Sequence, residues 1–273
     1  MNTFKVSKRQ LVTAITTTAI LCDRESCRFS LGGVLIEQDK AGTGFNFVGT
    51  DGRRLGVYHM PAQVSNRSDM EGFFKGGTAV DQVILDGQHL LNMAKRLENK
   101  TASDTVTVTP HVKVDNKKMG KGTAYTFSWT ANSRKMTAQA RVEEGRFPKW
   151  RDVIPSIDTA VGRAIGHRNR WVASLGKAVE PCNTYEYRVD LNGAVTLKRD
   201  EVKVGGVEYS GRALAPRFNV SYLHEWLAAL PALPENKGSE NVEARFYGED
   251  RPAMFTAQDG ILTYIVMPLS PPE

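Results

Sequence analysis

The side chains able to do covalent or proton-transfer chemistry are scattered along this 273-residue chain in patterns that no common reaction uses. The five histidines, His59, His89, His111, His167 and His224, fall at no metal-ligand spacing. Cys22, Cys27 and Cys182 are an odd set without clustered histidines, which points to reduced thiols and away from a structural metal. No HExxH, GxSxG, Walker or dinucleotide glycine pattern is present. Gly32-Gly33 beside Val34 reads as a tight turn or close packing, and Asp51 as a turn residue capping its own backbone. Asp23, Glu25, Glu143 and Glu144 are too separated to suggest more than surface charge. The expectation is a non-enzyme with no catalytic residue, no metal and no cofactor.

Charge is the more informative chemistry. Lys and Arg number 36 against 30 Asp and Glu, giving a net charge of +6, which fits a nucleic-acid partner. A hydrophobic content of 41% argues against general disorder, and the length suffices for two domains. No run approaches the roughly 20 apolar residues needed to cross a bilayer. The start, Met1 to Lys5, leads into a polar amphipathic segment and not a secretory signal. A cytoplasmic protein without a membrane partner is expected.

Four helices position the cations. Ser7 and Gln10 form a capping-box pattern ahead of Leu11, Ala14, Ile15 and Thr18, with Lys8 and Arg9 beside that stripe. Asp86 caps a second helix with Leu90, Met93, Ala94 and Leu97 on one face and Lys95 and Arg96 off it. Trp171, Leu175 and Val179 mark a third, flanked by Arg168, Arg170 and Lys177. Asn219 caps a fourth, with Leu223, Trp226, Leu227 and Leu230, and Pro231 stops it.

Strands fill the rest. Val34 and Ile36, Phe45 and Phe47, and Leu55 and Val57 alternate as half-buried strands. Asn66 to Gly77 reads as an exposed loop. Further strands are expected at Thr105 to Thr109, His111 to Val114, Tyr125 to Trp129 and Lys135 to Val142. In the second half, Asn192-Gly193 predicts a hairpin turn before Val195 and Leu197. Strands are then expected at Val242 to Tyr247, Ala253 to Thr256 and Ile261 to Val266. The halves share one plan, so the fold class is α+β, with two helices packed on antiparallel sheets in each unit. Domains are expected at 1–145 and 159–273, joined by a connector at 146–158.

Leu31-Gly32-Gly33-Val34-Leu35-Ile36-Glu37, with Val48-Gly49-Thr50-Asp51-Gly52-Arg53-Arg54-Leu55, resembles the middle-domain signature of the bacterial DNA polymerase III beta sliding clamp family. Arg146-Phe147-Pro148 through Val153-Ile154-Pro155 resembles that family's interdomain segment. Phe218 to Leu223 resembles its last-domain helix start, and Val266-Met267-Pro268-Leu269 its closing strand. The order and spacing of the four patches fit over nearly the whole chain. Family members carry three such domains and close as a dimer, with six domains around DNA. Here only the middle and last are evident, so a six-domain ring implies a head-to-tail homotrimer.

The resemblance implies a processivity factor that encloses double-stranded DNA, tethers a DNA polymerase and is loaded by an ATP-dependent clamp loader. It places the helices inside the ring, where Lys8, Arg9, Lys95, Arg96, Arg168, Arg170 and Lys177 would meet phosphates without reading bases. It also implies a groove for short linear peptides, formed by Leu31, Thr50, Gly52, Arg53, Arg54, Leu55, Pro155, Ile265, Val266, Met267, Pro268 and Leu269. Two positions depart from the family pattern. Arg53 stands where a histidine is common, and Ser270-Pro271-Pro272-Glu273 replaces the usual basic-and-leucine ending. The alternative reading is a clamp-like peptide-binding module that forms no ring.

Overall fold

The computed structural model describes residues 4–23, 25, 30–39, 44–61, 82–98, 102–116, 120–179, 186–197, 202–231 and 240–269. The expected loop at 66–77, Cys27, Cys182 and the tail from Ser270 lie outside them. Contacts divide the chain into two compact units, one of 1–52 with 57–148 and one of 53–56 with 149–273.

The first unit opens with β1 (Phe4–Ser7), which runs straight into α1 (Lys8–Thr18) and a 3₁₀ turn at Ala19–Leu21. Then follow β2 (Gly33–Gln38), β3 (Gly44–Thr50), β4 (Arg54–Pro61), β5 (Gln82–Asp86), α2 (Gly87–Leu97), β6 (Thr105–Asn116), β7 (Gly120–Ala131) and β8 (Arg134–Arg141). They make two antiparallel sheets, β5-β2-β3-β4 and β1-β6-β7-β8. The core lies between them and the helices. Leu11 of α1, Leu90 of α2, Ile36 and Phe47 of one sheet, and Val108 and Phe127 of the other line one apolar void of about 10 Å³. Its lining side chains are all apolar and offer a water no hydrogen-bond partner.

Local sequence explains α2 well. Asp86 accepts the His89 N–H at 2.7 Å, and Leu90, Met93, Ala94 and Leu97 are buried as the spacing requires. At α1 the buried stripe holds, but Ser7 makes no side-chain cap. Ser7 closes β1, paired with Thr105, and the helix start is held by the Asp104 carbonyl, which accepts the Lys8 N–H at 2.8 Å. The threonines of α1 are satisfied within it: Thr17 donates to the Thr13 carbonyl at 2.7 Å and Thr18 to Ala14 at 2.6 Å. Two strand expectations are corrected. The strands expected on either side of Pro110 are one, β6, whose register against β7 shifts between Thr109 and Val112, where proline supplies no N–H. β2 and β3 are buried on nearly their whole length and not half-buried; their alternation is of polarity, with Glu37 and Asn46 buried opposite each other.

Two glycines in this unit permit contacts that any side chain would block. A Cβ at Gly49 would sit 1.9 Å from the Thr18 carbonyl oxygen, so β3 meets the end of α1 backbone to backbone. Gly49→Ala is expected to destabilise the unit by more than about 2 kcal/mol, since backbone must move to relieve the clash. A lowered urea midpoint with unchanged slope would report it. Gly145 adopts φ of 130° against the Ser30 hydroxyl, which itself donates to the Glu144 carbonyl at 2.9 Å.

The second unit begins with 3₁₀ turns at Trp150–Val153 and Ile157–Thr159. It repeats the order of the first: β9 (Gly162–His167), α3 (Arg168–Val179), β10 (Glu186–Leu191), β11 (Ala194–Leu197), β12 (Val202–Gly211), β13 (Arg217–Asn219), α4 (Val220–Ala229), β14 (Asn241–Phe246), β15 (Ala253–Ala257) and β16 (Leu262–Val266). The strands lie in the order β13-β10-β11-β12-β9-β14-β15-β16. The Asn192-Gly193 hairpin forms, with Leu191 opposite Val195. Asn219 caps α4 by accepting the Ser221 N–H at 3.1 Å. The core is aromatic: Trp226 stacks on Tyr264 at 4.7 Å, and Trp171 meets Phe255 edge-on at 5.8 Å.

On the surface of this sheet Arg163 grips Glu243 with two hydrogen bonds, 2.7 and 2.9 Å, while Arg245 reaches the same carboxylate at 2.6 Å. The Arg163 hydrogen bonds, helped by the charge of Arg245, hold the Glu243 pKa below its usual value. A depressed carboxylate contributes stability that is present above the unfolded-state pKa and lost as pH falls through the folded one. Glu243→Gln is therefore expected to lower stability at neutral pH by about 0.5–1 kcal/mol and to leave it unchanged at pH ~2, as measured by urea unfolding across pH.

Candidate functional site

The seven cations expected to face DNA divide into two groups. Lys8 and Arg168 are held by protein oxygens. The Lys8 ammonium donates to the Ala102 carbonyl at 2.9 Å and lies 3.9 Å from Asp104. Arg168 donates to the carbonyls of Leu227 at 3.0 Å and Ala228 at 3.2 Å, closing the C-terminal end of α4 where carbonyls lack helical partners. Arg9, Lys95, Arg96, Arg170 and Lys177 are exposed. Arg9 lies close enough to Tyr58 to oppose the burial that pushes its phenol up to about 12. Arg96 sits over the Trp129 ring at 5.1 Å, which fixes its head at the end of α2. Each helix pair thus presents fixed and exposed cations together.

The residues expected to form a peptide groove also separate. Leu31, Thr50 and Gly52 belong to the first unit, Leu31 and Thr50 being buried; the Thr50 hydroxyl accepts the Gly52 N–H at 3.0 Å. The rest belong to the second unit. Ile265 and Val266 are buried in β16 and Leu55 in β4, so they support a surface without lining it. Met267 is 42% exposed, and Pro155, Pro268 and Leu269 are half-buried. The strip after β16 is pinned at both ends: Met267 donates its N–H to the Arg53 carbonyl at 3.0 Å, and Leu269 to the Arg217 carbonyl at 2.8 Å.

Arg54 organises this corner. Its guanidinium is 2.5 Å from Glu225 and lies 4.1 Å over the Tyr222 ring, both on α4. The Tyr222 carbonyl in turn accepts the Tyr264 hydroxyl at 3.1 Å, linking the corner to the aromatic core. Tyr222 and Glu225 were not expected as site residues, although Tyr222 falls inside the Phe218–Leu223 patch. Glu225 is the one acid on α4, which is the available sequence signal for it. Val153, Ile157 and Val161 are also exposed, at 45%, 57% and 39%, and add apolar surface near the start of this unit.

No protein-family profile matches the chain, and no curated protein does. Solved structures do. DNA polymerase III subunit beta from Pseudomonas aeruginosa superposes with a TM-score of 0.71 at 22% identity, over 99% of this chain and 67% of that one. The chain has the sliding-clamp fold. The beta subunit from Thermotoga maritima matches at 0.69 and 19% identity, over 100% of this chain and 66% of that one. The beta sliding clamp of C. crescentus matches at 0.72 and 18%, over 99% and 66%. The chain therefore spans about two thirds of the length of these clamps. Among the described residues no helix is long and apolar enough to cross a membrane.

Proposed function

We propose that this protein is a DNA sliding clamp: a non-catalytic, cytoplasmic ring that encloses duplex DNA and tethers a replicative polymerase. The observation that carries the reading is the clamp fold over 99% of the chain, repeated as two units of identical element order. Both units set exposed cations on their helices, which suits weak, sequence-independent phosphate contacts. With two units per copy, six around the duplex require three copies arranged head to tail. An ATP-dependent loader would open and close the ring, and partners would dock by short peptides on the Met267–Leu269 strip beside Arg53 and Arg54.

Enclosure has a signature that electrostatic binding lacks. Once loaded on closed circular DNA, the protein is expected to persist at ~1 M salt, where phosphate contacts are screened, and to leave when the circle is cut. Rapid loss from intact circles would sink the ring. A second reading, a peptide-binding module without a ring, is favoured by the fact that Arg53, Arg54, Tyr222, Glu225 and Met267 all lie in one unit. A lone chain that binds clamp-binding peptides at micromolar concentration would select it.

A further inference from the structure

Glu225 is the half of its ion pair that meets solvent. The Arg54 side chain is 9% exposed and the Glu225 side chain 49%. Arg54 lies with one face on the Tyr222 ring at 4.1 Å and sets Nη1 2.5 Å from Glu225 Oε2. Burial and pairing leave Arg54 little charge to offer a ligand, while its partner stands at the surface as a carboxylate. Only one oxygen of that carboxylate is engaged. Among the described residues Glu225 Oε1 makes no hydrogen bond.

The carboxylate is also held in place. Arg54 anchors Oε2, and Tyr222, three residues earlier, shares the same face of α4. The Tyr222 carbonyl accepts the Tyr264 hydroxyl at 3.1 Å, which ties this face to the aromatic core. An acceptor ordered beforehand spares a ligand the entropy of ordering it.

Charge differs in sign across the corner. Arg53 is exposed, and its carbonyl takes the Met267 N–H at 3.0 Å, so a cation stands beside the strip. Glu225, the one acid of α4, stands one arginine side chain and one ion pair away. An extended peptide advances about 3.3–3.6 Å per residue, so a segment anchored on Met267 reaches Glu225 within a few residues.

We propose that Glu225 is a specificity residue of the docking strip: its Oε1 accepts a charge-assisted hydrogen bond from a lysine or arginine on one flank of the peptide's apolar anchor. The proposal rests on the reading that peptides dock on Met267–Leu269. Glu225 then selects partners with a cation on that flank, and the opposite sign at Arg53 sets the direction in which the peptide lies.

The test uses the full chain and three versions of one uncharged clamp-binding peptide: the parent, and two with lysine on either flank of the anchor. Affinities come from isothermal titration calorimetry at ~0.05 M salt, where surface charges are weakly screened. One lysine version is expected to bind wild type about 3–5-fold more tightly than the parent, and the other to gain nothing. Glu225→Gln keeps an oxygen for Arg54 and removes the charge, with circular dichroism to confirm the fold. In that variant the ratio of lysine to parent affinity is expected to fall to about one, whatever happens to the parent itself. If the lysine advantage survives in Glu225→Gln, another group reads the cation. If Glu225→Gln weakens all three peptides by the same factor, Glu225 only holds Arg54 and selects nothing. If the parent binds wild type but neither lysine helps, the proposal falls and the docking strip stands. If no version binds wild type, the docking reading itself fails.

Discussion

Replacing Trp226 with alanine is expected to lower the unfolding free energy of the second unit by about 3–5 kcal/mol. Trp226 is fully buried and stacks on Tyr264 at 4.7 Å with their planes 16° apart. Alanine removes the ring from a core made of aromatics whose edge-on contacts leave little freedom to collapse. Trp226→Phe keeps a face for Tyr264 and is expected to cost about 1–2 kcal/mol. Urea titration followed by circular dichroism measures both. The effect should also reach the Met267–Leu269 strip proposed to dock peptides, because Tyr264 donates to the Tyr222 carbonyl and the Tyr222 ring supports Arg54. A loss of clamp-peptide affinity in Trp226→Phe, with the fold retained, would show that transmission. An alanine variant within about 1 kcal/mol of wild type would mean that the stack is not the centre of this core.

What the sequence disclosed followed from the range of each interaction. α2 and α4 were legible because their signals are local: a capping Asp86 or Asn219 and apolar side chains three and four residues apart. The Asn192-Gly193 hairpin was legible for the same reason. Ser7 misled because the competing interaction, the Asp104 carbonyl on the Lys8 N–H, comes from nearly a hundred residues away. β6 misled because Pro110 marks a register shift within a strand as readily as a strand end. The site was harder still. Arg54 falls in the groove that the family resemblance implies, but its partner Glu225 lies 171 positions downstream, and no periodicity announces such a pair. Ile265 and Val266 share a patch with Met267, yet β16 buries the first two and releases the third where the strand ends.

The distinction between held and exposed cations predicts the largest effect on DNA. Lys95→Ala, Arg170→Ala and Lys177→Ala together remove three exposed charges from each copy. Each phosphate contact contributes about 0.9 to the slope of log affinity against log salt, so the slope for unloaded protein on linear duplex should fall by about 2.7 for each copy that meets the duplex. Affinity at ~0.1 M salt should fall by about 10²–10³. Folding should be nearly unaffected, because exposed single charges contribute little to stability. The opposite pattern is expected for Lys8→Ala and Arg168→Ala, whose heads lie on the carbonyls of Ala102, Leu227 and Ala228. Those two should cost about 1–3 kcal/mol each in stability and leave the salt slope near that of wild type. Fluorescence anisotropy across a salt series, run beside urea unfolding, separates the two groups. A slope unchanged by the exposed triple would mean that these helix faces do not meet the phosphates, and the enclosure of DNA would lose its electrostatic support.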